Sequence, residues 1–253
     1  MNTDTSTRTQ KSNMDSKTKL QLKDTTLICV DCRDLTRTVP VMQRCEELVD
    51  FGAVKLLTHL TTDYPHKVEI GNISSHVMYS IFMLKEIYKY VDTKYMLVVQ
   101  SDGFILNPHS WDDEWKEYDY IGPLFNQWDK VGNGGFSFRS KALMEYMSSL
   151  FPTWDITERG ANELQKNMSC YEDGAISLNY KELLDINGFK IAPLDVAGKF
   201  AQGGNPNPDY HYEYPFGFHG SWKTVDLQTG FVEKGVRPDD DVMIPDILTL
   251  KKA

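Results

Sequence analysis

An aspartate just past an apolar run is the first residue in this sequence whose position suggests chemistry. The run Tyr95–Val99 is typical of a buried strand, and Asp102 follows it after Gln100 and Ser101. Open α/β sheets present ligand groups just beyond the carboxyl ends of their strands. Mg²⁺ and Mn²⁺ bind carboxylate oxygens together with phosphate oxygens, so Asp102 is a candidate metal ligand. The alternative is a strand-terminal aspartate that caps the next turn.

A glycine-rich stretch further along the chain is the second candidate. In Gly132-Asn133-Gly134-Gly135, glycine permits unusual backbone conformations and a close approach of backbone to a ligand. The alternative is an ordinary loop or hairpin turn. The order of features favours a site, because the acidic strand end is followed by this turn, then by Arg139, and then by Glu172-Asp173.

Two adjacent carboxylates, Glu172 and Asp173, open a helical pattern. Acidic residues in a first helical turn are stabilised by the helix dipole, so a structural role is one explanation. The other is that one carboxylate acts as a general base toward a hydroxyl group while the other orients the substrate. The sequence leaves open which of the two would be the base.

A histidine late in the chain could complete a metal site. His219 lies between aromatic residues and Gly220, and its imidazole could join the ligand shell that Asp102 begins. The alternative is a packed side chain with no ligand.

The elements that must position these residues alternate between apolar runs and helical spacing. The predicted strands are 25–30, 54–58, 95–100, 136–138 and 189–192. The predicted helices are 39–50, 74–91, 141–151 and 172–184. The alternation predicts an α/β fold with a mostly parallel central sheet and helices on both faces. A loop-rich, irregular extension forms the C-terminal third.

Composition narrows the class of protein. Residues 1–23 are almost entirely polar and predict a disordered tail, and 24–253 predict one domain. The net charge of −9, with no long basic block, argues against a stand-alone nucleic-acid-binding protein. Four cysteines are too few for a disulfide framework in a chain of 253 residues. With no apolar run of the ~20 residues that span a bilayer and no hydrophobic signal segment, we expect an intracellular, cytoplasmic protein.

Several segments taken together resemble an uncharacterised family of glycosyltransferase-like proteins. They are Phe51–Leu57, Val98–Asp102, Asp119–Gly122, Gly132–Ser140, Glu172-Asp173 and Phe216–Gly220. The similarity covers roughly residues 25–220. That family is thought to adopt the GT-A fold, so the resemblance implies a nucleotide-sugar-dependent glycosyltransferase on a GT-A-like domain.

The resemblance also implies roles for individual residues. A UDP-sugar or other nucleotide-activated donor would bind Asp31, Arg33, Gln100, Ser101, Asp102, Gly134 and Gly135. A divalent cation, Mn²⁺ or Mg²⁺, would be held by Asp102 and His219 and would neutralise the departing diphosphate. Asp173 or Glu172 would be the catalytic base, and Trp111 and Asn133 would contact the acceptor. The tryptophans suit stacking on sugar rings, although core burial explains them equally well.

One position departs from the family pattern. The GT-A signature places an acidic residue where this chain has Gln100, so a strict metal requirement stays open. Transfer with inversion is expected, and retention is the alternative. The acceptor stays open among a glycan, a protein side chain, a small molecule and a hydroxylated base of viral DNA, which would place the protein in the host cytoplasm. The competing functions are a nucleotidyl or phosphoryl transferase and a non-catalytic nucleotide-sugar-binding protein.

Overall fold

The structure is a computed structural model that describes residues 19–125, 129–151, 171–203, 207–220, 225–226 and 229–232. Its first strand, β1, spans Leu20–Val30 and starts before the predicted residue 25. The reason is that Leu22 is fully buried and pairs with Phe51 of the neighbouring strand. Of the predicted N-terminal tail, residues 20–23 therefore belong to β1, and residues 1–18 lie outside the described part of the chain.

The described strands form one large sheet and two small ones. After β1 they are β2 (Val49–Thr58), β3 (Lys67–Glu69), β4 (Tyr95–Val98), β5 (Gly103–Ile105), β6 (Tyr120–Ile121), β7 (Ser137–Ser140), β8 (Ala201–Gln202), β9 (Gly217–His219), β10 (Val225–Asp226) and β11 (Phe231–Val232). The large sheet has the order β3-β2-β1-β4-β7-β6. Its strands β1 to β4 are parallel, β7 is antiparallel to β4, and β6 is antiparallel to β7. The predicted mostly parallel sheet is confirmed.

Helices cover both faces of this sheet. They are α1 (Leu35–Leu48), α2 (His76–Lys85), α3 (Lys141–Leu150), α4 (Glu172–Gly174), α5 (Lys181–Ile186) and α6 (Leu194–Phe200). Successive side chains of a strand face opposite sides, so Leu27 and Cys29 of β1 join the core that contains α1, and Ile28 and Val30 join the core that contains α2 and α3. Burial on both faces explains the continuous apolar run. Within the described ranges, no helix has the length and apolarity needed to cross a bilayer.

Several predicted boundaries differ from the structure. Helix α1 ends at Leu48 rather than at residue 50, because Val49 already pairs with Leu20 in the sheet. Helix α2 ends at Lys85, and a 3₁₀ turn at Ile87–Tyr90 completes the predicted segment. The predicted strand at 189–192 is reduced to a single bridge between Ile191 and Tyr120.

The predicted helix at 172–184 is interrupted. A π-helical turn at Ala175–Asn179 separates α4 from α5, and the Tyr180 amide donates to the Ala175 carbonyl at 2.9 Å. Isolated π turns of this kind occur frequently at functional sites. Here the turn directly follows the two carboxylates that the sequence singles out.

The strand order reverses beside β1, with β2 on one side and β4 on the other. Open α/β sheets bind ligands outside the carboxyl ends of the strands at such a switch point. The chain leaves β1 at Asp31 and leaves β4 just before Gln100. The polar residues that follow these two strands therefore meet at one edge of the sheet.

Candidate active site

A cavity of about 630 Å³ lies at this edge. Its volume falls within the roughly 300–1,000 Å³ that is common for small-molecule sites. Every residue predicted from the sequence to bind the donor or a metal, or to act as a base, lines the cavity, and Asn133 lines it as well. Trp111 is the exception and does not reach it. The structure thus gathers residues from six separate stretches of the chain into one site.

Asp31 holds the turn between β1 and α1. One of its carboxylate oxygens accepts hydrogen bonds from the backbone amides of Arg33 at 2.8 Å and Asp34 at 3.2 Å, and the other accepts from the Thr38 hydroxyl. Asp34 in turn caps α1 by accepting from the Thr36 amide at 2.9 Å. Because both oxygens of Asp31 are engaged, its main contribution is to place the start of α1 at the cavity.

Basic side chains line the wall that Asp31 supports. Arg33 and Arg37 both face the cavity, and Nη1 of Arg33 lies 3.4 Å from Nε2 of His76, the first residue of α2. The ring of Tyr171 lies 5.9 Å from that of His76, with 54% of Tyr171 exposed. This wall combines positive charge with an accessible aromatic ring.

Asp102 and His219 are brought together by a tight hairpin. Gln100 and Gly103 exchange two backbone hydrogen bonds of 3.1 Å, and Gly103 pairs with His219 of β9. Oδ1 of Asp102 then lies 3.5 Å from Nε2 of His219. Burial opposes ionisation of Asp102, but the electrostatic attraction and hydrogen bond of the His219 ring, when that ring is protonated, outweigh it and lower the pKa of the carboxyl.

Asp102 and His219 provide ligand atoms of the kinds that bind a divalent cation such as Mn²⁺ or Mg²⁺. Carboxylate oxygen and imidazole nitrogen are common ligands, and Mg²⁺ in particular is usually held by one or two carboxylates plus substrate phosphates. The described part of the chain contains no group of three His, Cys, Asp or Glu residues able to hold a metal. The Nδ1 atom of His219 is buried with no hydrogen-bond partner, whereas the acceptor oxygens of Asp102 and Gln100 both face Nε2. A cation bound to Nε2 would replace the proton there, and the neutral ring would then carry its proton on Nδ1.

Glu172 is tied into a buried ion pair. Its Oε1 lies 3.2 Å from Nη2 of Arg139, and its Oε2 accepts from the Ser80 hydroxyl at 3.3 Å. Arg139 is fully buried, and its guanidinium also donates to the Gly134 carbonyl at 3.2 Å and to the Ser137 hydroxyl at 2.9 Å. Glu172 thus serves as the counter-ion of a buried cation.

Asp173 has a different environment. Its carboxylate accepts from the Gly134 amide at 3.1 Å and from the Gly174 amide at 2.7 Å. Burial, together with the negative charge of Glu172, raises the pKa of Asp173 to about 6, although both amides and Arg139 act in the opposite direction. A carboxyl group whose pKa is raised toward neutral pH by its environment is typical of acid–base sites.

The glycine turn allows these groups to converge. A side chain at Gly134 would place its Cβ 2.5 Å from Oε1 of Glu172, and a Cβ at Gly135 would overlap Nε2 of His219. Close backbone approach is therefore the reason for glycine at both positions.

Trp111, predicted to contact the acceptor, is half-buried, packs against a cluster of aromatic rings and does not line the cavity. Its ring lies 5.3 Å from Phe138 and 5.2 Å from both Phe216 and Trp115, edge to face in each case, and its Nε1 donates to Asp113. Aromatic clustering, which sequence spacing does not reveal, explains this position. Trp128, Trp154 and Trp222 lie outside the described residues.

Sequence reasoning missed the contribution of α2. His76, Tyr79 and Ser80 line the cavity from the first turns of this helix. The available signal was the spacing of these three residues, at positions i, i+3 and i+4 after the Ser75 cap, whose hydroxyl accepts from the Met78 amide at 3.2 Å. In the sequence this spacing resembles that of an ordinary solvent-facing helix start.

Comparison with known proteins gives a family. Residues 65–219 match the model of a family described as a protein of unknown function, DUF5672. The chain belongs to this family. In this DUF5672 protein the matched segment contains the cavity residues from α2 onward, whereas Asp31 and Arg33 precede it.

Other comparisons are more distant. No curated protein matches the chain. Among solved structures, the DUF5672 chain is similar to the crystal structure of a glycosyltransferase involved in the glycosylation of the major capsid of PBCV-1. The identity is 15%, the TM-score is 0.41, and the match covers 77% of this chain and 93% of that one.

Proposed function

We propose that the protein is a glycosyltransferase that moves a sugar from a nucleoside-diphosphate donor to an acceptor hydroxyl. One observation carries the proposal. A single cavity holds Asp173, a carboxylate whose pKa is raised to about 6, together with the Asp102–His219 pair. Such a transfer needs a base for the acceptor proton and a means to stabilise a departing diphosphate, and the cavity has residues suited to both.

Asp173 is the proposed base. The acceptor oxygen forms a bond to the anomeric carbon of the sugar while the bond from that carbon to the diphosphate oxygen breaks, and the acceptor proton passes to Asp173. A base is most effective when its pKa is near the working pH, which favours Asp173 over the ion-paired Glu172. Glu172 acts as a positioning residue, because with Arg139 it fixes the helix start that carries Asp173. A single displacement inverts the anomeric configuration.

The donor side is proposed to lie along β1, α1 and β4. Arg33 and Arg37 provide positive charge for phosphates, and the amino-terminal end of α1 lies on the same wall. A bound Mg²⁺ or Mn²⁺, with Asp102 and His219 as its ligands, would supply further neutralisation of the diphosphate leaving group. Asn133, within the glycine-rich turn, lines the cavity and is the proposed contact for the acceptor.

The test is release of nucleoside diphosphate from a panel of nucleotide sugars in the presence of Mn²⁺ or Mg²⁺. Water serves as the acceptor, so the natural acceptor need not be known. We expect release from one donor, a loss of about 100-fold or more for Asp173→Asn, and a loss for Asp102→Ala. Asp185→Asn is the matched control, because Asp185 is an exposed carboxylate paired with Lys181 on α5.

Three outcomes would contradict the proposal. Pyrophosphate release from a nucleoside triphosphate would indicate a nucleotidyl transferase. A thermal shift with a donor, without turnover for any acceptor class, would indicate a binding protein. Release that survives Asp173→Asn would show that Asp173 is not the base. The anomeric configuration of the product, followed by NMR, distinguishes inversion from retention.

A further inference from the structure

The side-chain amide of Gln100 has a defined orientation in the cavity. Its Nε2 donates a hydrogen bond to the Tyr79 hydroxyl at 3.0 Å, and its Oε1 lies 3.3 Å from Nε2 of His219. Because the amide nitrogen is engaged by Tyr79, the carbonyl oxygen is directed toward His219.

Two oxygen atoms therefore lie close to Nε2 of His219. Oε1 of Gln100 lies 3.3 Å, and Oδ1 of Asp102 3.5 Å, from Nε2 of His219. Adjacent ligands of one small divalent cation are roughly 3 Å apart when each is about 2.1 Å from the ion. Both distances to Nε2 are within about 0.5 Å of that spacing. Amide carbonyl oxygens are hard ligands of the same class as carboxylates.

The backbone of Gly135 packs against this group. A Cβ at this position would overlap Nε2 of His219 and would lie 2.6 Å from Oε1 of Gln100. Gly103 is similarly close, because a Cβ there would lie 2.8 Å from Cδ2 of His219. The three donor atoms are thus supported by two glycine positions, which keep the group compact without contributing side chains.

We infer that Oε1 of Gln100 is a third protein ligand of the divalent cation, beside Asp102 and His219. The inference rests on the proposed function only for its premise that the cavity takes such a cation. A neutral amide stands where the GT-A pattern has an acidic residue, so the protein ligands together carry a single negative charge, that of Asp102. The consequence is weak binding of the cation alone, which the negative charge of a nucleoside diphosphate would strengthen. Tyr79 acts as a positioning residue for the amide.

The experiment exchanges the ligand atom for sulfur. Thiolates prefer soft cations such as Cd²⁺ over Mn²⁺, so Gln100→Cys changes metal preference only if this side chain contacts the ion. Cys32 also lines the cavity, so all variants are made in a Cys32→Ser background. We expect Gln100→Cys to weaken Mn²⁺ binding by at least about tenfold, to strengthen Cd²⁺ binding, and to give a thiolate-to-metal charge-transfer band with Co²⁺. Ser149→Cys, which places a thiol at an exposed position of α3 outside the cavity, is the control.

Two further variants keep the test decisive if Gln100→Cys fails to fold. Gln100→Glu should strengthen Mn²⁺ binding by about tenfold or more, since ligand charge sets affinity. Gln21→Glu is its control, because it adds the same charge at an exposed site on β1. Tyr79→Phe should weaken Mn²⁺ binding by about tenfold. Unchanged Mn²⁺ affinity in the Gln100 variants, or no Mn²⁺ binding by the parent with or without UDP, would overturn the inference.

The outcome is independent of turnover. A protein that binds Mn²⁺ through residue 100 but releases no diphosphate from any donor would keep this inference and refute the proposed function. A protein that releases diphosphate equally well in EDTA would keep the proposed function and count against this inference.

Discussion

The raised pKa of Asp173 predicts that the proposed base lowers the stability of the protein at neutral pH. Its pKa is about 6 in the fold and 3.8 ordinarily, so the folded state binds the proton more tightly than the unfolded state does. The associated stability is fully present below pH 3.8 and is lost as the pH rises through 6. From these two values the loss is about 3 kcal/mol at pH 8 and about 0.5 kcal/mol at pH 4.

Asp173→Asn removes this dependence. Asparagine keeps the shape but offers one acceptor oxygen where the carboxylate offers two, so either the Gly134 or the Gly174 amide loses its partner at a cost of about 1–3 kcal/mol. That cost does not depend on pH. The free energy of unfolding of the variant minus that of the parent should therefore increase by about 2.5 kcal/mol between pH 4 and pH 8.

Urea unfolding at both pH values, with Asp185→Asn as the baseline for removing an exposed carboxylate, measures this difference. A difference that stays constant with pH, or that falls as the pH rises, would refute the assignment of a raised pKa to Asp173. It would also remove the main reason to prefer Asp173 over Glu172 as the base. The expected result is a case in which a catalytic group lowers stability.

Two further perturbations test the surroundings of the site. Gly135→Ala should lower the free energy of unfolding by about 1–3 kcal/mol through overpacking and weaken Mn²⁺ binding by about tenfold. Gly71→Ala is the control and should change neither, because a Cβ there meets no atom within 4 Å. Thermal unfolding at increasing Mn²⁺ concentration measures both quantities, and equal effects of the two variants would refute the close approach at Gly135. Arg139→Met should lower the free energy of unfolding by about 3–5 kcal/mol because it leaves Glu172 buried without its counter-ion. Adding Glu172→Gln should make the double variant less destabilised than the sum of the two single variants, and additive losses would contradict a buried pair.

The sequence alone determines the elements and the general location of the site. Apolar runs and helical spacing depend on neighbouring residues, so the strands, the helices and the α/β class follow from local patterns. The position of Asp102 beyond a buried strand follows from the same patterns. The predicted element boundaries are less accurate, as at Val49, because strand pairing with Leu20 extends β2 into the predicted helix.

The roles of individual side chains depend on contacts between distant parts of the chain. Glu172 is separated from Arg139 by 33 positions, and Gln100 from His219 by 119. Those contacts make Glu172 a counter-ion and direct the Gln100 carbonyl toward the imidazole. They also pack the half-buried Trp111 against other aromatic rings, outside the residues that line the cavity.

Two adjacent carboxylates show why the local sequence does not determine the role of a side chain. Glu172 and Asp173 are chemically similar neighbours in the sequence, and both carry a negative charge when ionised. Burial and the position of one guanidinium group give them different roles, because a charge is stabilised only by groups that lie close to it in space. Only the tertiary structure places Arg139 against one carboxylate and leaves the other lining the cavity with a raised pKa.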